Sequence, residues 1–214
     1  MATKYKLYLF DLDGTLLYSD EMIRVTFHQL YKLYKGPDFV IDDEKILTFS
    51  GPQISETLEH EFPDLDKDFI FNEWRKYSKN NYEKYMKAYP GVKTLFEKMS
   101  AKNIPFSIVT NKHRFATDSS LKLMEIDSFN VFCVCADEVK NLKPAPDGIY
   151  KAMDHFNIKN KKDVIYIGDS IYDYLTAKNA GVDFGFVSWS PRKLEKKAKV
   201  DLFIDDFAKF AEEI

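Results

Sequence analysis

Along most of this chain, short apolar runs alternate with longer stretches of helical period. That alternation leaves few architectures open, because it is the trace of parallel strands joined by crossover helices. Strands are expected at Tyr5 to Phe10, Pro105 to Val109, Val131 to Cys135, Val164 to Ile167, Phe184 to Val187 and Leu202 to Ile204. Between them, helices are expected at about Val92 to Lys102, Arg114 to Glu125, Gly148 to Phe156 and Ile171 to Asn179. The predicted class is α/β, with a doubly wound parallel sheet covered by helices.

The interval from Phe10 to Pro105 is far longer than any between later strands, and an insertion is the simplest explanation. Within it, Ser19 is placed to cap a helix whose apolar positions Ile23, Phe27, Leu30, Tyr31 and Tyr34 recur at helical spacing until Gly36-Pro37 stops it. Further helical segments read from Asp42 to Phe49, Gln53 to Phe62 and Leu65 to Met86. The expected organisation is a core of residues 1–17 and 88–214 carrying an all-helical insertion of residues 18–87.

Composition narrows the function. The 214 residues are 45% hydrophobic and carry a net charge of −3, enough to bury a sizeable core and without the basic surplus that holds a nucleic-acid backbone. No apolar run approaches the length needed to span a bilayer, and Asp11 interrupts the first apolar stretch too early for a signal peptide. A cytoplasmic protein is expected, a monomer or homodimer, with no nucleic-acid or membrane partner. Cys133 and Cys135, the only cysteines, read as buried thiols on one face of a strand. The basic residues Arg192, Lys193, Lys196, Lys197 and Lys199 read as the solvated face of an exposed helix.

The chemistry sits at strand ends. Asp11-Leu12-Asp13-Gly14-Thr15 follows the first strand directly, and ligands of open α/β sheets bind outside the carboxyl ends of their strands. Gly14 permits a sharp departure from the strand and offers backbone N–H groups to an anion. Gly168-Asp169-Ser170-Ile171-Tyr172-Asp173 follows the strand Val164 to Ile167 in the same way. Asp169 could merely cap the next helix. With Asp11 and Asp13, however, Asp169 and Asp173 make a carboxylate cluster that repels itself unless a cation is present, and hard oxygen donors suit Mg²⁺. Thr110-Asn111-Lys112 ends another strand, where the Thr110 hydroxyl and nearby N–H groups could hold phosphate oxygens. Lys143, in Lys143-Pro144-Ala145-Pro146, could bring an ammonium into the same cleft or lie on the surface.

These four elements, in this order, resemble the haloacid dehalogenase superfamily of aspartate-nucleophile phosphatases. A helical cap inserted after the first motif makes the chain similar to its phosphoglycolate phosphatase and pyrophosphatase-like members. The resemblance implies a Rossmann-like core in which Asp11 is the nucleophile and Asp13 the general acid and base. It further implies that Thr110, Asn111 and Lys143 bind phosphate. Mg²⁺ would be held by Asp11, the backbone carbonyl of Asp13 and Asp169, with Asp173 supporting them. In such enzymes the cap sets specificity. Its candidate residues here are Gly51 and Gln53, in a turn between helices, and Arg24 and His28, an i, i+4 pair that could equally be a solvated face. The substrate expected is a small phosphorylated metabolite. A phosphoglycolate-like monoester is preferred to pyrophosphate, because Arg24 and Arg75 are the only arginines of the insertion.

Overall fold

The structure, a computed structural model, describes residues 4–214. It divides into two compact units, one containing the chain up to Leu17 together with Ala88–Ile214 and the other Tyr18–Lys87.

Eight strands occur among the described residues: β1 (Leu7–Phe10), β2 (Leu17–Tyr18), β3 (Lys87–Ala88), β4 (Phe106–Val109), β5 (Phe132–Val134), β6 (Val164–Gly168), β7 (Asp183–Val187) and β8 (Leu202–Ile204). Six form one sheet in the order β5-β4-β1-β6-β7-β8, while β2 pairs with β3. Every neighbouring pair in the six-stranded sheet is parallel. β1, with the sequence Leu-Tyr-Leu-Phe, is buried at all four positions, as is β6 at all five. Unbroken apolar runs of this kind belong to strands covered on both faces.

Within the first unit, the sheet is accompanied by α5 (Val92–Ala101), α6 (Arg114–Leu123), α7 (Asp147–His155), α8 (Ile171–Ala180) and α9 (Phe207–Glu213), numbered after the four helices of the second unit. The first four lie within one or two residues of expectation. α9 had no counterpart in the sequence reading, although Asp206 caps it by accepting a hydrogen bond from the Lys209 N–H, and Phe207, Phe210 and Ala211 bury one face. Strand β5 is shorter than expected. Cys135 lies beyond it, because the Cys135 N–H is taken by the Glu138 carboxylate at 3.3 Å. Both thiols are free and buried; burial pushes Cys133 up to about 12 and Cys135 to about 11, so neither is a nucleophile at neutral pH.

The second unit contains α1 (Asp20–Tyr34), α2 (Asp43–Leu47), α3 (Ile54–Glu61) and α4 (Lys67–Tyr85). Ser19 occupies the N-cap position of α1, but its backbone is already helical in φ and ψ and its hydroxyl caps nothing. The interior is aromatic. Phe27 packs against Phe49 and Trp74 with ring centroids 4.5 and 4.8 Å apart, and Tyr31 packs against Phe39 and Phe62.

One charge lies within that packing. Glu61, 4% exposed, accepts hydrogen bonds from the Tyr31 hydroxyl at 2.5 Å and the Lys45 ammonium at 2.7 Å, with His60 at 3.0 Å. Burial alone would raise its pKa, but these partners outweigh burial and hold it below the usual 4.5. A depressed carboxylate stabilises the fold fully above its ordinary pKa, and this contribution is lost as pH falls further. Glu61→Gln should therefore lower stability at pH 7 by roughly 1–3 kcal/mol. It should also flatten the acid limb of unfolding measured between roughly pH 5 and pH 3. An acid limb identical to that of the wild type would show that Glu61 does not carry this dependence.

Candidate active site

Register brings the motif residues to one level of the sheet. Phe10 of β1 stands opposite Ile108 of β4 and Ile167 of β6, and the Asp11 N–H donates to the Ile167 carbonyl at 2.8 Å. Asp11, Thr110 and Asp169 therefore leave three adjacent strands at their carboxyl ends, beside the central strand where the sheet order reverses. This is the ligand-binding position of doubly wound sheets.

Asp11, Asp169 and Asp173 are all buried, and each offers a carboxylate oxygen within 4.8 Å of the others. Lys143 enters the group from the loop after β5. Its ammonium donates to Asp11 Oδ1 at 2.6 Å, Asp173 Oδ1 at 2.7 Å and the Tyr166 hydroxyl oxygen at 3.1 Å, which uses all three of its protons. Burial alone would lower the Lys143 pKa, yet the two carboxylates raise it. Asp173 is pulled below the usual carboxylate range because Lys143 and its other donors outweigh its burial. Those donors include the Ser170 hydroxyl at 2.6 Å and the Asp169 and Ser170 N–H groups. Asp11 goes the other way. Burial and the nearby Asp173 charge raise it well above the ordinary range, and Lys143 offsets them only in part.

Asn111 holds the main chain of Lys143 from both sides, donating from Nδ2 to the carbonyl at 3.2 Å and accepting from the N–H at 2.9 Å. The Thr110 hydroxyl oxygen accepts from the Lys112 N–H at 3.2 Å. Asp13 points elsewhere than the carboxylate triad and pairs with the Lys112 ammonium at 2.8 and 3.1 Å. Gly14 has φ +82°, and a Cβ there would lie 2.3 Å from Asp169 Oδ2. Only glycine lets Asp169 approach the Asp11–Thr15 loop so closely.

In the helical unit, Arg24 is bound by the Glu21 carboxylate at 2.6 and 2.9 Å, and His28 Nε2 lies 2.7 Å from Asp43. Gly51 has φ +116°, and Gln53 is the N-cap of α3.

Two side chains at the centre were not anticipated. Tyr166 interrupts the apolar run of β6, and a buried phenol needs a hydrogen-bond partner; its hydroxyl lies 2.9 Å from the Val109 carbonyl. That demand was the available clue. Arg192 is a correction. Residues 188–200 form turns and irregular backbone in place of the expected helix. Lys193, Lys196, Lys197 and Lys199 are exposed, but Arg192 turns inward and its Nη1 lies 2.7 Å from Asp169 Oδ2.

Three buried carboxylates against Lys143 and Arg192 leave net negative charge among hard oxygen donors. The chemistry of this donor set fits a small divalent cation.

Residues 8–187 match the family model described as haloacid dehalogenase-like hydrolase. The chain belongs to that family. The sequence is 31% identical to a protein provisionally named pyrophosphatase PpaX from Caldanaerobacter subterraneus subsp. tengcongensis, over 92% of this chain and 89% of the relative. It is 30% identical to the pyrophosphatase PpaX of Halalkalibacterium halodurans, over 86% and 84%. A crystal structure of a predicted phosphoglycolate phosphatase from Haemophilus somnus shares the fold, with a TM-score of 0.82, 22% identity and coverage of 100% and 99%. This haloacid dehalogenase-like hydrolase is thus a phosphatase-class enzyme, as its motifs implied. No helix among its described residues is long and apolar enough to cross a membrane.

Proposed function

We propose that the enzyme hydrolyses pyrophosphate by Mg²⁺-assisted phosphoryl transfer to Asp11. The observation that supports the catalytic part is the pairing of two aspartates two positions apart with separate lysines, Asp11 with Lys143 and Asp13 with Lys112. One carboxylate is thereby dedicated to the buried cluster and the other kept beside it, a division of labour between nucleophile and proton carrier.

Asp11 attacks phosphorus, the bond to the leaving phosphate breaks, and an aspartyl-phosphate forms. Asp13 gives a proton to the departing oxygen, then takes one from the water that hydrolyses the acyl-phosphate. The N–H groups after β1 and β4 hold the transferring oxygens, while Lys143 compensates the Asp11 charge and Asn111 fixes the backbone that carries Lys143. Asp11 and Asp169, with the Asp13 carbonyl, would hold Mg²⁺, which supplies charge neutralisation between the anionic nucleophile and the anionic substrate. Lys143 is shared between two carboxylates, so the residues present keep Asp11 only partly compensated; a divalent cation fits that need.

Pyrophosphate is ranked above the small monoester expected from sequence because the relatives covering most of this chain carry the name pyrophosphatase. The monoester remains a second reading, favoured by the engagement of Arg24 with Glu21, which commits one of the two arginines of the helical unit to a carboxylate of its own helix. Initial rates across pyrophosphate, phosphoglycolate, sugar phosphates and nucleoside monophosphates separate the two. The expected result is a kcat/KM for pyrophosphate about tenfold above every monoester, a transition-state preference of about 1.4 kcal/mol. A monoester leading the series would reverse the ranking, and no turnover of any of them would remove the phosphatase reading.

A further inference from the structure

The loop after β7 reaches back into the carboxylate cluster. Trp189 Nε1 donates to the Gly14 carbonyl at 3.2 Å, and its indole packs against Tyr89 and Phe207 with centroids 5.1 and 4.9 Å away. Next, the Ser190 hydroxyl donates to the Asp169 carbonyl at 2.7 Å and lies 3.3 Å from Asp169 Oδ2. Arg192 completes the contact, its backbone N–H donating to Ser190 Oγ at 3.1 Å and its Nη1 to Asp169 Oδ2 at 2.7 Å. The Asp169 and Arg192 side chains are 2% and 11% exposed. One short segment therefore grips both the loop that follows Asp11 and the carboxylate at the end of β6.

We infer that Arg192, with Ser190, is a positioning residue that fixes the Asp169 carboxylate for divalent-cation binding. The inference rests on the metal role proposed above. Asp169 grows from a strand end and packs against the bare Cα of Gly14, so its carboxylate plane is set by whatever bonds its oxygens. A guanidinium is suited to that task because it remains charged at any working pH and its donors are held in a rigid plane. Groups that hold a metal-ligating carboxylate in place are worth about 10- to 100-fold in affinity. A competing electrostatic effect has the opposite sign, since removing a positive charge from the cluster would tighten cation binding. The direction of the measured change therefore decides between orientation and charge.

The test is binding of Mn²⁺ to the full chain, followed by the electron paramagnetic resonance of the free ion, with Mg²⁺ as competitor. Arg192→Met is expected to weaken both ions by about 10- to 100-fold, and Arg192→Lys to fall between it and the wild type. Turnover of Arg192→Met is expected to return to within a few-fold of wild type at saturating Mg²⁺. Unchanged or tighter binding in a folded Arg192→Met would overturn the inference. Should Arg192→Met fail to fold, Ser190→Ala and Arg192→Lys carry the same test, and wild-type affinity in both would overturn it. Wild-type protein that takes up neither ion would instead remove the metal role itself, an outcome distinct from variants that bind as the wild type does.

Discussion

Asp11→Asn is expected to reduce kcat by on the order of 10³-fold or more while leaving the protein at least as resistant to unfolding as the wild type. The two outcomes come from the same surroundings. Asp11 is 4% exposed, and burial together with the Asp173 charge pushes its pKa up while Lys143 offsets them only in part, so removing the charge costs the fold little. The amide is nearly the same size, removes the charge and still accepts a hydrogen bond from Lys143 through its oxygen. It cannot attack phosphorus. Wild-type enzyme quenched in acid during turnover should carry an acyl-phosphate that Asp11→Asn lacks. Activity above a few per cent, or phosphate still covalently bound in the variant, would assign the nucleophile elsewhere. A large fall in melting temperature would mean that the buried charge of Asp11 supports the fold.

Much of this arrangement could be read from the sequence because it depends on local rules. Asp11, Thr110 and Asp169 each stand just past an apolar run, and parallel register then aligns them without further information. The helices α5 to α7 carry clear apolar periods, and α8 has its capping pair in Ser170 and Asp173. What escaped notice depends on long-range contacts. Arg192 is followed closely by four lysines, and composition alone assigns such a group to solvent. Its inward turn is visible only when the loop after β7 meets Gly14 and Asp169, residues far apart in sequence. The resemblance implied a phosphate contact for Asn111, and its amide bonds on both sides to the backbone of Lys143, a partner 32 residues away that sequence spacing does not reveal. α9 was missed for a simpler reason: its seven residues give two apolar turns, too few to stand out from the chain end.

Lys143→Met should have the largest effect on stability, because it leaves two buried carboxylates facing each other without their shared cation. Removing one partner of a buried ion pair costs about 3–5 kcal/mol. Lys143 is bound to Asp11 and Asp173 at 2.6 and 2.7 Å with its side chain 4% exposed, so the upper part of that range is expected in denaturant unfolding. Turnover should fall by at least the hundredfold associated with one lost stabilising donor. The double variant Asp11→Asn with Lys143→Met separates this cause from a simple packing defect. With Asp11 neutral, Asp173 is the one former Lys143 partner left charged, and it keeps its hydrogen bond from the Ser170 hydroxyl. The double variant should therefore be more stable than the sum of the two single effects predicts by about 1–3 kcal/mol, the coupling expected of residues within one network. Strict additivity of the two substitutions would mean that Lys143 stabilises the core through its aliphatic stem, with its charge contributing nothing to the balance between Asp11 and Asp173.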